Sequence, residues 1–138
     1  MFISVGIQFI KGFDNVLVLP KITIRMAYGD TLNRGAIAIT PKQAYHDWAN
    51  AALPDEGPTQ PDEKDEATMY LVDGNWTDVD EPLLKHWEDI FANELFLTTT
   101  DEDLWPDEID LEMFKEWFSY SIGSILIDLE ETELKSEE

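Results

Sequence analysis

Apolar and polar residues alternate over Phe2–Ile10, where Ile3, Val5, Ile7 and Phe9 are separated by Ser4, Gly6 and Gln8. A period of two over eight residues predicts a strand with one face buried. Lys11–Asn15 carries turn residues, and Val16–Leu19 is a short apolar run that Pro20 interrupts, as at a bulge, an edge or a strand break. Ile22, Ile24 and Met26 alternate with Thr23 and Arg25, and Ala36–Ile39 follows the loop Gly29–Gly35 as a further strand. An antiparallel meander is the expectation for the first forty residues.

The period then changes. Thr40-Pro41-Lys42-Gln43 matches a capping box, with Thr as cap, Pro at the first helical position and Gln at the third. Tyr45, Trp48, Ala49 and Ala52 follow at helical spacing until Leu53-Pro54 ends the helix. Residues 54–66 hold three Pro, one Gly and six acids, which reads as a surface loop within the domain. Thr68–Val72 is a compact strand. Asp80-Glu81-Pro82 opens a long helix with Leu84, Trp87, Phe91 and Leu95 on one face, and Glu81 suits its positive end. Beyond an acidic loop from Thr98 to Asp110, Asp110 caps a helix carrying Phe114, Trp117, Phe118 and Ser121. Ser124–Leu129 reads as the last strand.

The predicted order is β-β-β-α-β-α-α-β: a single α+β domain over residues 1–129, an antiparallel-rich sheet with about three helices. Residues 130–138 form an acidic solvated tail. Aromatic content of 12% in a 138-residue chain is too high for a disordered acidic segment, so the chain folds.

Charge separates the chain into unequal parts. Residues 1–50 carry five basic against three acidic groups, whereas residues 51–138 carry 27 acidic against four basic, for a net charge of −21. Such a surface opposes direct nucleic-acid binding, which rests on cations neutralising phosphates, and is repelled by anionic membranes. No run of about 18 apolar residues occurs, and the N-terminus lacks the basic start and cleavage site of a signal peptide, so a cytoplasmic protein of bacterial style is expected. The absence of cysteine excludes disulfides and thiolate chemistry.

Catalytic signatures are missing. His46 and His86 stand on predicted helices outside any HExxH pattern, and the serines lie in no GxSxG elbow. Asp73–Asp80 begins like a calcium loop but has Asp78 at the glycine position and Leu84 at the closing glutamate position. No glycine-rich phosphate loop occurs, and neither cofactor nor metal is expected.

What remains is the acidic surface around one aromatic. Asp101, Asp103, Asp107 and Glu108 flank Trp105, which Pro106 stiffens; together they form the candidate partner-binding set, since interface anchors are enriched in Trp. The expected function is a non-enzymatic module docking a basic protein, in the manner of immunity or antitoxin proteins or of DNA mimics, which it resembles in composition only. The alternative is a small metal-dependent hydrolase using loop carboxylates near Trp105 or Trp76. An exposed strand edge or aromatic helix face leaves homo-oligomers open, against the charge repulsion.

Overall fold

A computed structural model of the chain describes residues 28–137 together with the backbones of two strands at residues 3–5 and 24–26. The expected run Val16–Leu19 and most of the first strand lie outside these residues. The chain divides into two compact units, one made of Met1–Asn33 with Ile125–Glu138 and the other of Arg34–Ser124.

The smaller unit is built from antiparallel pairs. β1 (Ile3–Val5) pairs with β2 (Ile24–Met26), and β3 (Asp30–Thr31) pairs with β7 (Ile127–Asp128). β1 and β2 pair antiparallel as a meander would, while β3 pairs with a strand almost a hundred positions away and falls inside the stretch expected to be a loop. Gly29 makes the β3–β7 ladder possible. Its φ is +111°, and a Cβ there would stand 2.5 Å from the Asp128 carbonyl oxygen. Residues 130–137, the acidic tail, have no regular structure and are exposed.

The larger unit holds the helices. Its sheet runs β5-β4-β6, all antiparallel, with β4 (Arg34–Pro41) between β5 (Thr68–Asp73) and β6 (Phe118–Gly123). Ile37 stands opposite Tyr70 on one side and Ile122 on the other, and Ile39 opposite Thr68 and Tyr120. These residues face inward. The alternate set faces outward, leaving Met69 and Leu71 about half-exposed and Ser119 and Ser121 exposed. Three helices, α1 (Gln43–Ala52), α2 (Glu81–Thr98) and α3 (Leu111–Trp117), complete the unit. The α+β class, the antiparallel sheet and the helix count agree with the sequence reading.

The core is aromatic. Phe91, Phe114 and Phe118 are fully buried, with ring centroids 5.0–6.0 Å apart in tilted or edge-on pairs. Ile37, Ile39, Leu83, Ile90 and Leu95 fill the space around them, and Trp48, Trp87 and Trp117 pack against it from the rim.

Three local readings need correction. Thr40 and Pro41 belong to β4, and Lys42 precedes α1 with no side-chain cap, because the β4–β6 ladder continues to Pro41 and claims both residues. The inward face of α2 carries Leu83 rather than Leu84, which is 57% exposed; Pro82 and Leu83 are both buried, shifting the stripe by one residue. Finally, α3 stops at Trp117, and Phe118–Gly123 is a strand. There Phe118, Tyr120 and Ile122 point inward while Ser119, Ser121 and Gly123 are exposed, a period of two that outweighs the helical spacing. Asp110 does cap α3, its carboxylate accepting the Met113 N–H at 2.7 Å.

One close approach packs the start of the central strand. A Cβ on Gly35 would stand 2.7 Å from the Gly123 carbonyl oxygen and from two ring carbons of Trp76. Gly35→Ala is expected to lower stability by about 1 kcal/mol or more, since neither the ladder nor the indole can withdraw freely. A urea midpoint equal to that of the unaltered protein would show that this end of the sheet is looser than the packing implies.

Candidate functional site

In the larger unit, Arg34–Ser124, 22 carboxylates face five basic groups, and every carboxylate except Glu94 is exposed. Their placement follows from α1, which serves as a spine for two acidic loops. Successive residues on a helix are turned by about 100°, so Trp48 and Asn50 leave opposite flanks. On one flank Asn50 grips the loop of residues 54–66: its Nδ2 donates to the Thr59 carbonyl at 2.9 Å, and its Oδ1 accepts the Thr59 N–H at 2.8 Å. His46 Nδ1 adds a 2.8 Å contact to the Thr59 hydroxyl. On the other flank the Trp48 indole N–H donates to the Leu104 carbonyl at 3.0 Å, fixing the loop that contains Trp105. Exposed Gln43, Asp47 and Ala51 form the ridge between them, with Gln43 Nε2 donating to Asp47 at 2.8 Å.

Both loops begin in the same way. α1 has no basic residue in its last turn and runs into a 3-10 turn, Pro54–Glu56, bearing Asp55 and Glu56. α2 likewise has none and runs into a second such turn, Glu102–Leu104, with Asp101, Glu102 and Asp103. Helix C-termini carry partial negative charge that fades beyond the last turn, and these carboxylates follow it in the first turn of each 3-10 helix, where Asp101 acts as a cap. After each helix end the chain gathers exposed acid with no basic residue in the preceding turn.

The five residues expected to contact a partner sit together on the second loop, in differing environments. Asp101, Asp103, Asp107 and Glu108 are exposed. The Asp101 carboxylate accepts the Asp103 N–H at 3.1 Å and so shapes the turn. Trp105 is half-buried against the core, and its indole N–H donates to the Thr99 carbonyl at 3.0 Å, folding the loop back onto the end of α2. Its ring points inward and holds the loop that displays the carboxylates.

Around Trp76 the geometry is different. A pocket of about 140 Å³ is lined by Asp73, Asn75, Trp76, Glu81, Lys85 and His86, among others. Its carboxylates are engaged in backbone turns: Asp73 accepts the Asn75 N–H at 2.9 Å, and Glu81 accepts that of Asp78 at 3.3 Å. Among the described residues no three His, Asp or Glu side chains converge as a metal-ligand set.

Sequence reasoning missed Glu94, which is 3% exposed and the one buried charged residue in the described core. The Tyr70 hydroxyl donates to its carboxylate at 2.5 Å, while the Tyr45 hydroxyl donates to its backbone carbonyl and lies 2.5 Å from the Thr98 hydroxyl. Burial pushes the Glu94 carboxyl up, partly offset by hydrogen bonds from Tyr70 and Thr68. Burial, reinforced by Glu94, also raises the Tyr70 phenol, and burial raises that of Tyr45. The signal was an acid on the inward stripe of α2, between Phe91 and Leu95, opposite a tyrosine on the inward face of β5. The network pins α2 to the sheet and to α1. The chain matches no protein-family profile, no curated protein and no solved structure.

Proposed function

We propose that this protein is a non-enzymatic binding module that docks onto a basic protein through the two acidic loops held by α1. The observation that carries the reading is the run of each helix C-terminus into an acidic turn with no basic residue in the preceding turn. A cationic partner would supply the counter-charge that the chain itself does not place there. Asp101, Asp103, Asp107 and Glu108 are the contacts on the second loop, with Trp105 holding them in place.

Tethering matters as much as charge. Hydrogen bonds from His46, Trp48 and Asn50 reduce the loop entropy that binding would otherwise remove, and the summed field steers a cationic partner inward. The carboxylates are borne on two loops and a ridge rather than in one helical row. That favours an inhibitor of a basic enzyme, such as a nuclease in the bacterial cytoplasm, over a mimic of the regularly spaced DNA backbone. No helix among the described residues is long and apolar enough to cross a membrane. The metal-dependent hydrolase has no observation in its favour.

Affinity capture from the host lysate, washed at low and then high salt, tests this reading. A stoichiometric basic protein that elutes with salt is the expected result. Capture of nothing, or of a partner indifferent to salt, would overturn it.

A further inference from the structure

Large apolar side chains left in water are uninformative singly, but a rigid pair on a helix end that runs into an acidic turn is not. Phe96 and Leu97 are 56% and 67% exposed on the last turn of α2. They flank the stripe that carries exposed Asp89 and Asn93 one to two turns earlier. The acidic turn with Asp101, Glu102 and Asp103 follows directly and is folded back on the helix end by the Trp105–Thr99 hydrogen bond. The last turn of α2 carries no basic residue. An apolar centre with a charged rim is the anatomy of a protein interface, and large apolar side chains on rigid elements bind at little entropic cost.

Resting on the binding-module reading above, we propose that Phe96 and Leu97 are the apolar anchor of that interface. Their occupant is a basic amphipathic segment of the partner, one that sets apolar side chains among lysines or arginines. Charge complementarity selects it: the rim is acidic and the helix end adds negative potential. A second copy of this chain would bring the same negative rim against itself, and like charges in apposition oppose that contact.

Two synthetic peptides of equal positive charge test the proposal with the full-length protein. One contains lysine with leucine at helical spacing; the other contains lysine with serine in place of leucine. Their affinities are read by fluorescence anisotropy at low and moderate salt. The leucine peptide is expected to bind at least about tenfold more tightly, a difference of about 1.4 kcal/mol. Phe96→Ser/Leu97→Ser is expected to erase that preference while leaving the lysine–serine affinity unchanged. Both positions are exposed, and an unchanged circular dichroism spectrum verifies the fold. Equal binding of the two peptides by the unaltered protein, or a preference that survives the double substitution, would overturn the anchor. A dimer in sedimentation that the double substitution dissolves would also overturn it, by assigning the pair to self-association. The underlying reading fails differently: neither peptide would then show binding that weakens with salt.

Discussion

Phe91→Ala is expected to destabilise the larger unit by about 3–5 kcal/mol, the range for truncating a fully buried phenylalanine. Phe91 has no exposed surface, and its ring lies 6.0 Å from Phe114, 5.3 Å from Trp117 and 5.2 Å from Phe118 by centroids. The loss has two parts: apolar area returned to water and a void that the neighbours cannot fill. Relaxation is limited because Phe114 is on α3 and Phe118 opens β6, whose ladder with β4 fixes its position. A domain stability of about 5–15 kcal/mol leaves little margin for such a loss. Chemical denaturation followed by tryptophan fluorescence measures it. A loss below about 1 kcal/mol would mean that the aromatic centre can collapse and is not the unit's keystone.

The second large effect lies in the buried acid. Tyr70→Phe removes the hydroxyl that donates to Glu94 and leaves a buried carboxyl oxygen short of a partner, at an expected cost of about 1–3 kcal/mol. The cost should shrink in acid, where a neutral carboxyl needs the donor less. Glu94→Gln acts in the opposite sense. Because burial raises the Glu94 carboxyl, folding retains a proton that the unfolded chain releases near its ordinary value of about 4.3. The stabilisation from neutral Glu94 is full below the unfolded value and is lost as pH climbs through the folded one. Glutamine is neutral throughout, so the stability of Glu94→Gln relative to the parent should rise from pH 4 upward and then level off. Urea melts of the parent and both variants at pH 5 and pH 8 read these differences, in which the exposed carboxylates common to all three largely cancel. A Glu94→Gln difference that stays flat or falls with pH would contradict the burial of this charge.

Periodicity carried most of the fold because each element announces itself over several residues. β4, β5, α1 and α2 were legible from alternation or helical spacing, and Asp110 from its position three residues before Met113. The misreadings fall where two patterns overlap. Phe114, Trp117, Phe118 and Ser121 fit a helix, yet Phe118, Tyr120 and Ile122 fit a strand equally well; pairing with β4, a tertiary effect, decides between them. Thr40-Pro41 lost its capping role in the same way. The acidic character of the Trp105 loop was plain in composition. Its attachment to α1 through Trp48, like that of the 54–66 loop through Asn50, depends on hydrogen bonds between residues nine to 56 positions apart, which no local pattern encodes. Phe96 and Leu97 stand out from other helix residues only with the inward stripe of α2 at Leu83, Ile90, Phe91, Glu94 and Leu95.

The most direct test of the central claim removes charge without changing shape. Asp55→Asn, Glu56→Gln, Asp101→Asn and Asp103→Asn in one chain would neutralise the acidic turns at both helix ends, and its capture of the basic partner would be compared with that of the parent at low salt. The variant is expected to keep the fold, since all four side chains are exposed and asparagine caps as well as aspartate at position 101, and to lose the partner. Undiminished capture by a folded variant would contradict it and place recognition elsewhere on the molecule.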